Sequence, residues 1–202
     1  MLDRLRFQPD DRFAFLQGFL RHPNVVGSVI PSSRFLERRI VDTAALADAH
    51  VVVELGPGTG GTTRAMLQKM PCDSKLLAIE MEPKFATLLE SEPDPRLIVH
   101  RDSAVNLQQA IEIYGLSSPD VIVSGVPFST MPRSVGRQIL RAIWSSLAPG
   151  GRFVAYQLRD RVAVLGREIA GAPEVAAEFR NVPPMRVYCW RKPLPQKSPH
   201  AA

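Results

Sequence analysis

The chain has 202 residues, 45% of them hydrophobic and 22% charged, with a net charge of +5. That is the composition of one soluble globular domain with a full core, and no apolar run reaches the ~18–20 residues needed to cross a bilayer. Residues 1–40 carry +3, residues 41–158 carry −2 and residues 159–202 carry +4, so basic ends flank a slightly acidic middle. Basic ends suit an anionic surface, nucleic acid or phospholipid headgroups, although solubility alone also accounts for this excess. Nothing at the start reads as a signal peptide, because Asp3, Asp10 and Asp11 stand where a basic start and apolar core belong. Cys72 and Cys189 are far apart and the four histidines are scattered, so free thiols and no metal site are expected.

In chain order, residues 10–21 predict a short amphipathic helix with Phe13, Phe15, Leu16, Phe19 and Leu20 on one broad face. Such a helix can pack on the domain, lie in a membrane interface, or do both as a mobile lid. After Pro31, Ser32 or Ser33 can cap a helix from about Arg34 to Ala49. Two hydroxyls and Arg34 at a helix start can also grip a phosphate; a plain cap is the simpler reading. Val51-Val52-Val53-Glu54-Leu55 predicts a buried strand, and Gly56-Pro57-Gly58-Thr59-Gly60-Gly61 a tight turn into a helix ended by Pro71. Strands are then expected at Ser74–Glu80, Leu97–Arg101, Asp120–Ser124 and Arg152–Leu158. Helices between them open at Pro83, after Ser103 and at Arg133, and one more runs from Asp160 to Ala170. Ala177–Val182 and Met185–Arg191 close the domain as a hairpin, and residues 193–202 read as a loose tail.

Strands alternating with helices predict an α/β, Rossmann-like three-layer sandwich with a mostly parallel sheet. Ligands bind such sheets beyond the carboxyl ends of the strands, which here carry Glu54, Glu80-Met81, Asp102-Ser103 and Ser124-Gly125-Val126-Pro127-Phe128. Glu80 stands where a carboxylate would bind both ribose hydroxyls, Asp102 can accept from an exocyclic amine, and Met81 can pack on a flat ring. The loop spacing does not fit Gly-x-Gly-x-x-Gly, and no Gly-Lys-Ser/Thr follows it, which argues against a dinucleotide and against a phosphate loop. Arg133, Arg137 and Arg141 form one helical stripe, read as a solvated face.

Val52 to Gly60 resembles the cofactor loop of the class I S-adenosylmethionine-dependent methyltransferases, and the resemblance covers roughly residues 25–192 in element order. It implies a seven-stranded sheet with the last strand inserted antiparallel, and S-adenosylmethionine as cofactor with S-adenosylhomocysteine as product. It also implies that Gly56, Gly58, Thr59 and Gly60 approach the methionine part and ribose, Glu80 the ribose hydroxyls and Asp102 the adenine amine, with Met81, Ser103 and Ser124 nearby. Residues Val25 to Arg34, the glycine loop and Ser124 to Phe128 together resemble the small bacterial phospholipid N-methyltransferases, which convert phosphatidylethanolamine towards phosphatidylcholine. The rival resemblance is to enzymes that dimethylate adenine in ribosomal RNA. Those carry Asn-Leu-Pro-Tyr/Phe after the fourth strand, with the Asn side chain and the Pro carbonyl accepting from the target amine; here Gly125 replaces that Asn. The aminolipid reading assigns Ser32, Ser33, Arg34, Gly125, Pro127 and Phe128 to the substrate, Phe128 by cation–π attraction to a methylated ammonium. Tyr156 and Asp160 are the candidate bases. It also expects a monomer, peripheral on the inner face of the cell membrane, with an anionic membrane surface and an aminophospholipid as partners and no nucleic acid.

Overall fold

In the computed structural model, residues 32–195 are described. The expected helix at 10–21, the stretch Val25–Pro31 and the tail from 196 onward lie outside them. Seven strands, β1 (Val51–Leu55), β2 (Lys75–Ile79), β3 (Leu97–His100), β4 (Val121–Ser124), β5 (Arg152–Gln157), β6 (Glu174–Glu178) and β7 (Met185–Arg191), form one sheet in the order β3-β2-β1-β4-β5-β7-β6. The four pairings from β3 to β5 are parallel, and β7 is antiparallel to both β5 and β6. All five residues of β1 are buried, as expected of β-branched residues in a central strand covered on both faces.

Among the described residues, six α-helices cover the sheet: α1 (Arg34–Ala44), α2 (Gly61–Leu67), α3 (Pro83–Glu90), α4 (Leu107–Ile113), α5 (Arg133–Ser146) and α6 (Arg161–Ala170). Side chains of α1 and α2 pack with Val52, Leu76, Val123 and Val154 on one face. Those of α4, α5 and α6 pack with Leu55, Leu77, Ile122 and Phe153 on the other. The chain winds outward from β1 in one direction and from β4 in the other, so the switch point lies between these neighbours, directly after Leu55 and Ser124.

Two cations finish helices at the amino edge. Arg96 donates to the carbonyls of Leu67 (2.7 Å), Met70 (2.9 Å) and Pro71 (3.0 Å) beyond α2. Lys192 donates to those of Trp144 (2.7 Å) and Leu147 (2.6 Å) at the end of α5. Both satisfy carbonyls that a helix end leaves unpaired.

Two boundaries differ from expectation. The first helix ends at Ala44, because Ala45 turns left-handed (φ 50°) into a short 3-10 segment, Leu46–Asp48. The sixth strand is Glu174–Glu178, not Ala177–Val182; residues 179–184 form the turn into β7. This edge strand buries only its last residue fully, so alternating hydrophobicity does little to mark it.

Candidate active site

The site begins with backbone. Gly56, Gly58 and Gly60 have φ of 69°, 59° and 80°, a region L side chains rarely adopt, and this lets the chain turn tightly between β1 and α2. Glu80, at the end of β2, clamps the loop: its Oε2 accepts from Gly58 N (2.9 Å) and its Oε1 from Glu82 N (2.9 Å). Burial nonetheless raises its pKa above the usual carboxylate value, against the opposing backbone N–H donors.

Glu54, at the second-last position of β1, has no exposed surface. Its Oε2 accepts from the Thr63 hydroxyl (2.6 Å), while its Oε1 has no partner among the described residues. Burial, partly offset by the Thr63 donor and reinforced by Glu80, pushes its pKa up to about 8. A third carboxylate, Glu37 of α1, lies over Gly61; a Cβ there would sit 2.3 Å from Glu37 Oε1. Burial raises its pKa as well, with Arg64 opposing. Three desolvated carboxylates around one glycine turn make a site short of positive charge, and an orphaned buried acceptor is one a cationic ligand would complete.

Asp102 follows β3. Its Oδ1 accepts from Ser103 N (2.6 Å), and Asn106 Nδ2 lies 3.0 Å from each oxygen, which fixes the carboxylate plane and leaves lone pairs for a further donor. Met81 is partly exposed beside Glu80. The Thr59 carbonyl accepts from Arg64 Nη2 (3.1 Å). Two expected contact residues serve the backbone. The Ser103 hydroxyl accepts from Val105 N (3.4 Å), and that of the fully buried Ser124 from Val126 N (3.3 Å).

After β4 the expectations need more correction. Phe128 has no exposed surface; it sits in the core near Met131 and Gly136 and cannot wall an ammonium pocket. The Pro127 carbonyl accepts from Thr130 N (3.1 Å) and from the Thr130 hydroxyl (2.8 Å), so both lone pairs are used within the turn. Ser33 is a plain N-cap, accepting from Leu36 N (3.3 Å); Arg34 lies on the ring of Phe35, 4.9 Å from its centroid. Arg137 of the arginine stripe pairs with Glu168 of α6 through two hydrogen bonds of 2.9 and 3.1 Å.

Tyr156 lies against Gly125, and its surroundings do not suit a base. Burial, with the charges of Glu54, Glu80 and Glu37, pushes its pKa well above the ordinary phenol value, so it keeps its proton at neutral pH. Its hydroxyl occupies the space in which a side chain at position 125 would stand: a Cβ on Gly125 would lie 2.3 Å from Tyr156 Oη and 2.8 Å from the Gly56 carbonyl. Gly125 is thus a glycine by close approach. Sequence reasoning missed this pairing, as it missed Thr63, Glu37 and Gln157, whose Nε2 donates to the Val126 carbonyl (2.8 Å). The parallel register Ser124↔Ala155 puts Gly125 opposite Tyr156, and that register is the signal that would have found it.

The model of the Ribosomal RNA adenine dimethylase family matches residues 11–119 of this chain. The chain is also 32% identical, over 90% of its length and 96% of the relative's, to the ornithine lipid N-methyltransferase of Singulisphaera acidiphila. It belongs to the ribosomal RNA adenine dimethylase family of S-adenosylmethionine-dependent methyltransferases. The ribosomal RNA small subunit methyltransferase A of Corynebacterium jeikeium is 28% identical over 81% of this chain, which spans about half (49%) of that relative. In fold, the chain resembles the Burkholderia thailandensis 1,6-didemethyltoxoflavin-N1-methyltransferase, solved with S-adenosylhomocysteine (TM-score 0.66, 18% identity, 95% of this chain and 93% of that one). The family match ends before Ser124–Phe128.

This methyltransferase therefore uses S-adenosylmethionine. The residues present fit it: a glycine cradle, Glu54 with an unpaired oxygen, and Glu80 and Asp102 at successive strand ends. The cofactor supplies a methyl group already activated on a sulfonium. The protein supplies alignment and exclusion of water.

Proposed function

We propose that this methyltransferase acts on the primary or partly methylated amine of a membrane aminolipid, phosphatidylethanolamine or an ornithine lipid. The observation that carries the reading is Tyr156 standing in the place of a side chain at position 125. The adenine-dimethylating pattern needs an amide there and a Pro carbonyl free to accept from the base. This chain has no room for the first, and Thr130 takes up the second. The same-length relationship to a lipid N-methyltransferase supports the same choice, while the ribosomal RNA enzymes are about twice as long.

In this reading Tyr156 orients the attacking amine through an oxygen lone pair and takes no proton. Headgroup amines resemble lysine, with a pKa of ~10.4, and lose their proton to water before attack. The carboxylates of Glu37, Glu54 and Glu80 balance the positive charge that gathers in the site. Among the described residues no helix is long and apolar enough to cross a membrane; in this reading the lipid is reached from the surface.

The test is methyl transfer from labelled S-adenosylmethionine to three acceptors: phosphatidylethanolamine vesicles, ornithine-lipid vesicles and undermethylated ribosomal RNA. Label is expected in at least one lipid and none in RNA. Label in RNA alone would overturn the proposal.

A further inference from the structure

We propose that the turn between β6 and β7 is a wedge that seats the catalytic edge of the sheet on an anionic bilayer. The proposal rests on the aminolipid reading above and adds to it the segment that touches the membrane.

The position of the turn follows from strand register. Leu55, which precedes the glycine loop, pairs with Ser124, Ser124 with Ala155, and Ala155 with Tyr188. The antiparallel β7 begins three residues before Tyr188, at Met185, opposite Glu178. Residues 179–184 therefore project from the same edge of the sheet as the cofactor loop.

Two apolar side chains in this turn are almost bare: Phe179 is 78% and Val182 80% exposed. Leu158, which follows β5 at the same edge, is 46% exposed. An exposed phenylalanine costs solubility and contributes nothing to the core, so its place at the rim of the site calls for an occupant. The turn holds these side chains out on a braced frame. Glu178 accepts from Arg39 (2.9 Å) and from Arg180 (3.1 Å), Asn181 accepts from Ser33 N (3.0 Å) and donates to the Pro183 carbonyl (2.8 Å), and Arg180 lies 4.3 Å over the Phe35 ring.

Charge selects the occupant. Arg34, Arg159, Arg180 and Arg186 are all exposed at this edge. Among the described residues, the acids beside them are Glu178, buried and already shared by two arginines, and Asp160 next to Arg159. Apolar tips within a cationic rim match the boundary between acyl chains and anionic headgroups. The carboxyl edge of the sheet then faces the lipid, and a headgroup amine has a short path to Tyr156.

The experiment is vesicle cosedimentation of the full chain without turnover, comparing wild type, the double variant Phe179→Ser/Val182→Ser, and Val175→Ser. Val175 is a control because it is also exposed (56%) but lies towards the far end of β6. The double variant should bind phosphatidylglycerol-containing vesicles about tenfold more weakly, with Val175→Ser unchanged and binding falling as salt rises. As a second measurement, Phe179→Trp should give emission that brominated lipids quench. Equal binding by the double variant and wild type, no quenching at position 179, or equal loss in Val175→Ser would overturn the wedge. So would wild type that binds RNA and ignores vesicles. If wild type methylates lipid while the double variant binds normally, only the wedge fails; label in RNA alone sinks the aminolipid reading itself.

Discussion

The two halves of the sheet's carboxyl edge solve different problems. At β1 and β2 the protein builds with charge: Glu54 and Glu80 are buried carboxylates, one held by Thr63 and the other by two backbone N–H groups. At β4 and β5 it builds with shape: Gly125 is bare so that the Tyr156 hydroxyl can enter, and the Val126 and Pro127 carbonyls are occupied by Gln157 and Thr130. In the proposed reading the first half meets the charged cofactor. In the same reading the second meets the acceptor. On the aminolipid reading, a chain of the ribosomal RNA adenine dimethylase family differs from its RNA-methylating relatives on the acceptor side alone.

The largest effect should come from the charged half. Glu80→Ala removes two charge-assisted hydrogen bonds and frees the loop at Gly58. At about 1.5–3 kcal/mol for each such bond, cofactor affinity measured by calorimetry should fall at least about a hundredfold, and methyl transfer with it. Next is the shaped half. Gly125→Asn forces an amide against Tyr156 and should cost about 1–3 kcal/mol of stability in denaturant unfolding and abolish lipid activity. Adding Tyr156→Ala should recover most of the stability and none of the activity. Strict additivity of the two substitutions would show that the residues do not compete for one space.

A subtler difference is pH dependence. With its pKa raised to about 8, Glu54 binds a proton in the folded chain that the unfolded chain gives up near 4.5. Its contribution to stability is complete below about pH 4.5 and is lost as pH rises towards 8. Affinity for the cationic cofactor should move the opposite way, rising towards pH 8 as the carboxylate forms. Glu54→Gln should flatten both slopes; an unchanged affinity profile would remove Glu54 from the cofactor site. Glu178, whose arginine and backbone partners lower its pKa to about 2, contributes above the unfolded value near 4.5 and is lost as pH falls towards 2. The smallest effect lies at the other edge of the sheet. Arg96→Ala should lower the melting temperature through loss of the α2 carbonyl cap, about 1–2 kcal/mol, and leave cofactor affinity at saturating folded protein unchanged.

The charged half was legible in sequence because its parts are local. Val51 to Gly61 is one strand, one turn and one helix start, and Glu80 and Asp102 fall at the ends of apolar runs. The shaped half was not, because its contacts depend on strand register. Phe128 looked like a pocket aromatic until Met131 of the turn and Gly136 of α5 closed around it, and Tyr156 looked like a lone phenol until β4 and β5 aligned. The misplaced β6 has a similar cause: Glu174-Val175-Ala176-Ala177-Glu178 is an edge strand with little to bury.

Glu37 ties α1 to the glycine turn, a link that the helix's place on the back of the sheet does not suggest. Its carboxylate lies in the gap left by Gly61's missing side chain, so the start of α1 and the cofactor turn share one van der Waals surface. A ligand that stills the turn should also still the helix. Amides in the first turns of α1 should then exchange with deuterium more slowly once S-adenosylhomocysteine is added, and Gly61→Ala, by pushing Glu37 aside, should uncouple the two.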